Sequence, residues 1–371
     1  MNERTLQLLI QARNAATPGI QAAQRSIQSF VARTKQSALS LKTSLKGAAT
    51  AIQSYWAAIA VALVGVRKAY EATIGAAIEY ESAFAGVRKT VETTEIEFKK
   101  LSRSIRDMAT TIPVAASDLA GIMEIAGQLG VRGTAELTKF TEVVAKIAVT
   151  TNLTKEAAAT DFARIANVMK EPLTNIDKMA SAVVALGNTT ATTESEIVGF
   201  ATRLTGAGKI AGLTTADLFG MGAAFTAVGV KAEAGGTAVN TMIIDMAVAV
   251  QSGGDKLEKF ARTAGLTSEE FRAAYKTNAG KAFAIFIEGL GRQGLRGAKV
   301  LEDLGLGNKR MIRSFLSVGG ATGLMAQKME EANSEFEKNI ALNEEAAKRF
   351  KTSASQIKIM KNNFSELGMT L

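Results

Sequence analysis

Histidine and cysteine are both absent from the 371 residues. Their absence excludes Ser-His-Asp and Cys-His catalysis, the usual zinc and haem ligand sets, and disulfides. Only carboxylates remain to hold a metal, and no loop has the Asp/Asn spacing of a calcium site. A chain without cysteine fits cytosolic synthesis. Proline occurs only at Pro18, Pro113 and Pro172. Proline breaks helix interiors, so long helices are permitted. Tyr, Trp and Phe are few beside Ala, Leu, Lys, Glu, Met and Gln, which favours helix over strand. At 47% hydrophobic the chain is no disordered tail, and its length allows two or three domains.

Long apolar runs are lacking too. The longest, AAIAVALVGV at Ala57–Val66, is closed by Arg67 and Lys68. It falls short of the ~20 residues that span a bilayer, and Gln53 and Ser54 interrupt the tract upstream. It reads as a buried or self-associating helix. Arg4 precedes only Leu6, Leu8, Leu9 and Ile10, too short a cluster for a secretory signal.

Positive charge is unevenly placed. Residues 1–68 hold nine Lys or Arg and one acid, Glu3, so 9 − 1 = +8 of the net +9 lies there. Arg25, Arg33, Lys35, Lys42, Lys46, Arg67 and Lys68 form the candidate basic partner surface. Such an arm suits nucleic acid, a membrane surface or a negatively lined protein cavity; a solvated helix face is the plain alternative.

Hydrophobic spacing supplies the positive signal. From Ile20 the apolar positions advance by threes and fours through Ile27 and Phe30, then Leu41, Leu45, Ile52 and Ile59. A second series holds Tyr80, Phe84, Val87, Val91, Phe98, Leu101 and Ile105. A third, near the end, includes Phe336, Phe350, Ile357 and Phe364. The mean step is about 3.5 residues, the coiled-coil period, and one helix cannot bury its own stripe. These residues are the candidate self-association seam, with a helix hairpin within one chain as the alternative. No proline falls between Pro18 and Pro113, so the N-terminal stretch reads as a rod; ninety helical residues would reach ~135 Å.

Between the rods, segments of ten to seventeen residues carry helical stripes divided by polar or glycine breaks. Thr174 and Asp177, Thr193 and Glu196, Thr214 and Asp217, and Thr267 and Glu270 have capping-box spacing, which marks helix starts. Gly130, Gly187, Gly229, Gly265 and Gly305 stand where helices would close. The fold expected is all-α, with coiled-coil-like terminal helices flanking a multi-helix middle. The boundaries are a short segment 1–19, a basic rod 20–110, a core domain 111–320 and a C-terminal helix 321–371. With its stripe alive near the last residue, that helix is expected to continue beyond Leu371.

Gly206–Ile210, GAGKI, resembles the end of a phosphate-binding loop. However, Ile210 stands where Ser or Thr should bind magnesium, and Arg203 replaces the first glycine. The acids show no close apolar pairing of the kind general acid–base catalysis uses. No enzyme, cofactor or small-molecule substrate is expected.

Several stretches together resemble the core region of long-tailed phage tape measure proteins. AIEYESAFAGVRKTV (Ala77–Val91) is similar to its opening. TIPVAASDLAGIMEIAGQLGV (Thr111–Val131) resembles its proline-then-helix segment, and AGLTTADLFGMGAAFTAVGVKAEAGGTAVNTM (Ala211–Met242) its most recognisable block. LEKFARTAGLTSEEFRAAYKTNAGKAFAIFIEGLG (Leu257–Gly291) looks like the block that follows, and LQLLIQARNAATPGIQ (Leu6–Gln21) like the head of such chains. The resemblance implies a structural role. Copies would bundle, template tail-tube polymerisation, set its length, lie in its lumen, and leave before or with the DNA. It implies as partners the chain itself, the tail tube, the tip or baseplate hub and assembly chaperones, with host-membrane contact on ejection. The location implied is the virion tail, with the host cytoplasm during assembly. A fully helical chain of 371 residues reaches only ~560 Å, so the tail is short or more ruler lies elsewhere. The competing reading is a membrane-active protein that inserts or perforates through Ala57–Val66, Met242–Val250 and the Gly/Ala-rich block from Gly220.

Overall fold

The computed structural model describes residues 74–370, together with Arg25, Ser26 and Ser29. The described residues contain helices, turns and no strand, so the chain is all-α. Helix α1 covers 74–90 and α2 Glu95–Ala109. Then come α3 (Ala116–Gln128), α4 (Thr134–Thr150) and α5 (Lys155–Met169). A 3₁₀ turn at Leu173–Asn175 leads into α6 (Ile176–Thr189), α7 (Glu194–Ala211), α8 (Thr215–Ala227) and α9 (Ala232–Ser252). Shorter helices follow: α10 (Gly254–Ala264), α11 (Ser268–Thr277), α12 (Ala279–Gln293), α13 (Leu295–Asp303) and α14 (Lys309–Gly320). The last are α15 (Leu324–Lys338), α16 (Ala341–Phe350) and α17 (Ser353–Thr370).

Helix starts follow the local chemistry. Capping boxes close in both directions at Thr193 with Glu196, Thr214 with Asp217 and Thr267 with Glu270. Thr174 caps nothing, because the 3₁₀ turn after Pro172 carries the chain to Ile176 before the α-helix begins. Gly130, Gly229, Gly265 and Gly305 take the left-handed conformation, whereas Gly187 lies inside α6.

Helix α8 is the axis of the molecule. Eleven of its thirteen residues are buried, as expected of a helix apolar all round. It packs between α7, α15 and α6. Gly220 permits the closest approach: a Cβ there would lie 2.5 Å from the Met329 Cα of α15. Aromatic rings carry the core outward. Phe200 stacks on Phe225 at 5.3 Å, Phe225 meets Phe315 edge-on at 5.8 Å, and Phe260 meets Phe286 at 5.0 Å.

Two expectations of long rods are corrected. Residues 91–94 are a turn, and α1 and α2 fold back as an antiparallel hairpin. Phe84 meets Phe98 at 6.3 Å, and the Tyr80 hydroxyl donates to Ser102 Oγ at 2.8 Å. Arg88 bridges the turn, pairing with Glu95 at 2.5 Å while lying 4.6 Å over the Phe98 ring. Phe84, Val87, Val91, Phe98, Leu101 and Ile105 are all buried within this one chain. In this fold they are not available to a partner helix.

The C-terminal stretch is likewise three helices rather than one. Asn339 breaks it in the left-handed conformation (φ +55°). The break is held from outside: Asn339 Nδ2 donates to Asp177 at 2.8 Å, and Ser181 Oγ donates to Asn339 Oδ1 at 2.9 Å. Glu335 then accepts the N–H groups of Ile340 and Ala341 at 2.8 and 2.7 Å, capping α16. Phe336 and Phe350 are half-buried against the core.

Candidate interaction surfaces

The acids of this fold act on backbone and neighbouring cations. Glu196 is held below the usual carboxylate range by the Thr193 N–H and then the Thr192 hydroxyl; Glu270 is lowered chiefly by the Thr267 N–H. Burial pushes the Asp177 carboxyl up, but hydrogen bonds from Asn339 and Lys139 outweigh it and hold Asp177 low. Asp217 is buried, accepting from Thr214 N at 3.0 Å and Asn333 Nδ2 at 2.7 Å. These bonds fasten α15 to the head of α8. Buried Lys328 fastens it again, donating to the Thr189 carbonyl and hydroxyl at 3.1 Å and to Glu331 at 2.8 Å. Among the described residues no group of three acids is placed to hold a metal. Burial raises the phenols of Tyr80 and Tyr275 to about 12.

Gly206–Ile210 lies inside the continuous helix α7, so it forms no phosphate loop. Lys209 instead donates to the Met169 carbonyl at 2.8 Å, satisfying the end of α5. Met242–Val250 lies within α9, with Met242, Ile243, Met246, Ala249 and Val250 buried. No helix among the described residues is long and apolar enough to cross a membrane.

A cleft of about 490 Å³ runs beneath α17. Its floor is Pro113, Val114, Ile122 and Leu153, and its rim includes Lys358 and Lys361. Asp118 and Lys155 pair across it. Polar contacts tie α17 to the head beside it. Asn362 Nδ2 donates to the carbonyls of Ala109 and Val114, each at 2.8 Å, and Arg106 pairs with Glu366 at 3.0 Å. The apolar side of α17 faces outward: Ile357 is 49% exposed, Met360 53% and Phe364 62%. Of the seam residues read from the sequence, Ile357 and Phe364 are therefore the two free at the surface among those described. Met360, which stands between them in the same heptad series, is exposed with them. Ile27, Phe30, Leu41, Leu45, Ile52 and Ile59 lie outside the described residues. So do Arg33, Lys35, Lys42, Lys46, Arg67 and Lys68; Arg25 is exposed.

A family model for phage-related minor tail proteins matches residues 102–346, running from α2 into α16. The chain belongs to that family. The match takes in the α8 axis, the helices around it and both clamps on α15. It makes this minor tail protein a structural component of the virion tail. No curated protein and no solved structure matches the chain. The exposed stripe of α17, at 357–364, lies just beyond the matched residues.

Proposed function

We propose that this minor tail protein is a tape measure. Its copies bundle, template polymerisation of the tail tube, set the tube's length from inside the lumen, and leave before or with the DNA. The family match over about two thirds of the chain carries the reading. The tape-measure-like blocks at Ala77–Val91, Thr111–Val131, Ala211–Met242 and Leu257–Gly291 support it, as does the unpartnered stripe of α17. In this reading the head formed by α1 to α16 is a folded module, and α17 joins copies side by side. The arm containing Arg25, Arg33, Lys35, Lys42, Lys46, Arg67 and Lys68 seats against acidic walls of the tube or tip hub. Assembly chaperones hold the chain before the tube forms.

The test is tail length. In-frame deletions between residues 20 and 70, which spare the head, should shorten assembled tails by about 1.5 Å per residue removed. Electron microscopy of the particles reads this directly. Normal assembly at unchanged length would overturn the ruler and leave a tail component of another kind.

A further inference from the structure

Charge at the helix starts changes sign partway along the head. From α2 to α11 every first turn carries an Asp or Glu. That is the sign the positive end of a helix dipole favours. From α12 to α14 no first turn holds an acid. Arg296 opens α13, and Lys309 and Arg310 open α14, with Arg313 one turn on. No Asp or Glu occurs between Asp303 and Glu330.

Lys309 and Arg313, four residues apart, lie on one side of α14, and Arg310 adjoins Lys309. Gly297 of α13 lies against the Leu290 carbonyl of α12 and the Leu316 side chain of α14. Arg296 therefore stands beside the turn of α14 that follows Arg313. Arg296, Lys309, Arg310 and Arg313 are all exposed. The ion pairs of this region are Arg292 with Glu288 and Lys299 with Glu302 and Asp303; none reaches those four. Asn308 caps α14 by accepting the Arg310 N–H at 2.9 Å, but no carboxylate among the described residues pairs with these cations, and cations set against the local dipole mark a surface shaped by something other than folding.

We propose that this face of α13 and α14 binds the phosphate backbone of a nucleic acid without reading its bases. Three of the four cations are arginine, whose fork matches phosphate oxygens two at a time. A bilayer fits less well. The apolar sides of both helices already face the core through Leu301, Phe315 and Val318, and only Leu295 remains exposed. A folded acidic protein also fits less well, because such interfaces draw their energy from buried aromatic and apolar anchors. A polyanion needs only the charges.

The test uses the full chain, whose basic arm contributes equally to wild type and variant. Anisotropy of a labelled duplex of arbitrary sequence is measured between about 50 and 200 mM salt. Four fewer phosphate contacts should lower the slope of log K against log salt by about 3 to 4 in R296Q/K309Q/R310Q/R313Q, and by about 2 in K309Q/R310Q. Both variants should melt no lower than wild type, because they remove cations from positive helix ends. An unchanged slope, or variants that melt lower, would overturn the proposal. So would an equal loss of binding to poly-glutamate or to phosphatidylglycerol vesicles, which would reassign the face to acidic polypeptide or to lipid. None of these outcomes bears on tail length, so the tape-measure reading stands or falls separately.

Discussion

At the scale of single residues, the fold depends on where side chains are missing. Gly291 of α12 and Gly319 of α14 bring two backbones together, and a Cβ on Gly291 would sit 1.7 Å from the Gly319 carbonyl oxygen. Backbone cannot move aside as a flexible side chain does. Gly291→Ala should therefore cost a net of about 2 kcal/mol or more, overpacking outweighing alanine's better helix propensity. Gly206 is the contrast: it lies exposed in α7 with nothing within 4 Å of its Cβ position. Gly206→Ala should gain about 0.8–1 kcal/mol. Urea unfolding at unchanged m-value reads both; a Gly291→Ala protein as stable as wild type would mean the helices are not packed so closely. The sequence shows glycines at both places, but nothing in it tells a contact glycine from a tolerated one. That difference arises only when α12 and α14 meet.

Elements were legible where the signal is local. A threonine followed three residues later by a carboxylate marks a true helix start at Thr193, Thr214 and Thr267, because both partners lie within one turn. At Thr174 the same spacing misleads. Pro172 imposes a 3₁₀ turn, and Asp177 is drawn instead to Lys139 and Asn339, residues remote in sequence. The seam residues Phe84 to Ile105 have the periodicity of a rod, and periodicity cannot say whether a stripe meets another chain or the same one. The turn at 91–94 decides it. The local boxes also set a pH response. Glu196 and Glu270 have folded-state pKa values lowered from 4.5. Their stabilisation is thus complete above that value and is lost as pH falls through the folded values below it. Hydrogen exchange at the starts of α7 and α11 should accelerate in that acid window. Glu196→Gln and Glu270→Gln keep an acceptor but cannot titrate, and should flatten the response. If wild type and glutamine variants follow the same acid profile, the boxes do not govern it.

At the scale of the whole molecule, the apolar stripes divide into two kinds with opposite consequences for mutation. Phe84, Val91 and Leu101 are core residues, and replacing all three by Asp would bury three carboxylates without partners. That variant should lose cooperative melting altogether. Ile357, Met360 and Phe364 repeat at i, i+3 and i+7 on an exposed face, the positions a coiled-coil seam uses. Their flanks fit a parallel pair, which sets Gln356 of one copy near Lys361 of the next; an antiparallel pair centred on Met360 would oppose Lys361 to Lys361. The head is held to α17 by Asn362 and Arg106, not by this stripe. The triple Asp variant of α17 should therefore melt like wild type while its mass by light scattering falls towards that of one chain. Wild type should show a mass that rises with concentration. An α17 variant with undiminished mass would sink the side-by-side role of this helix.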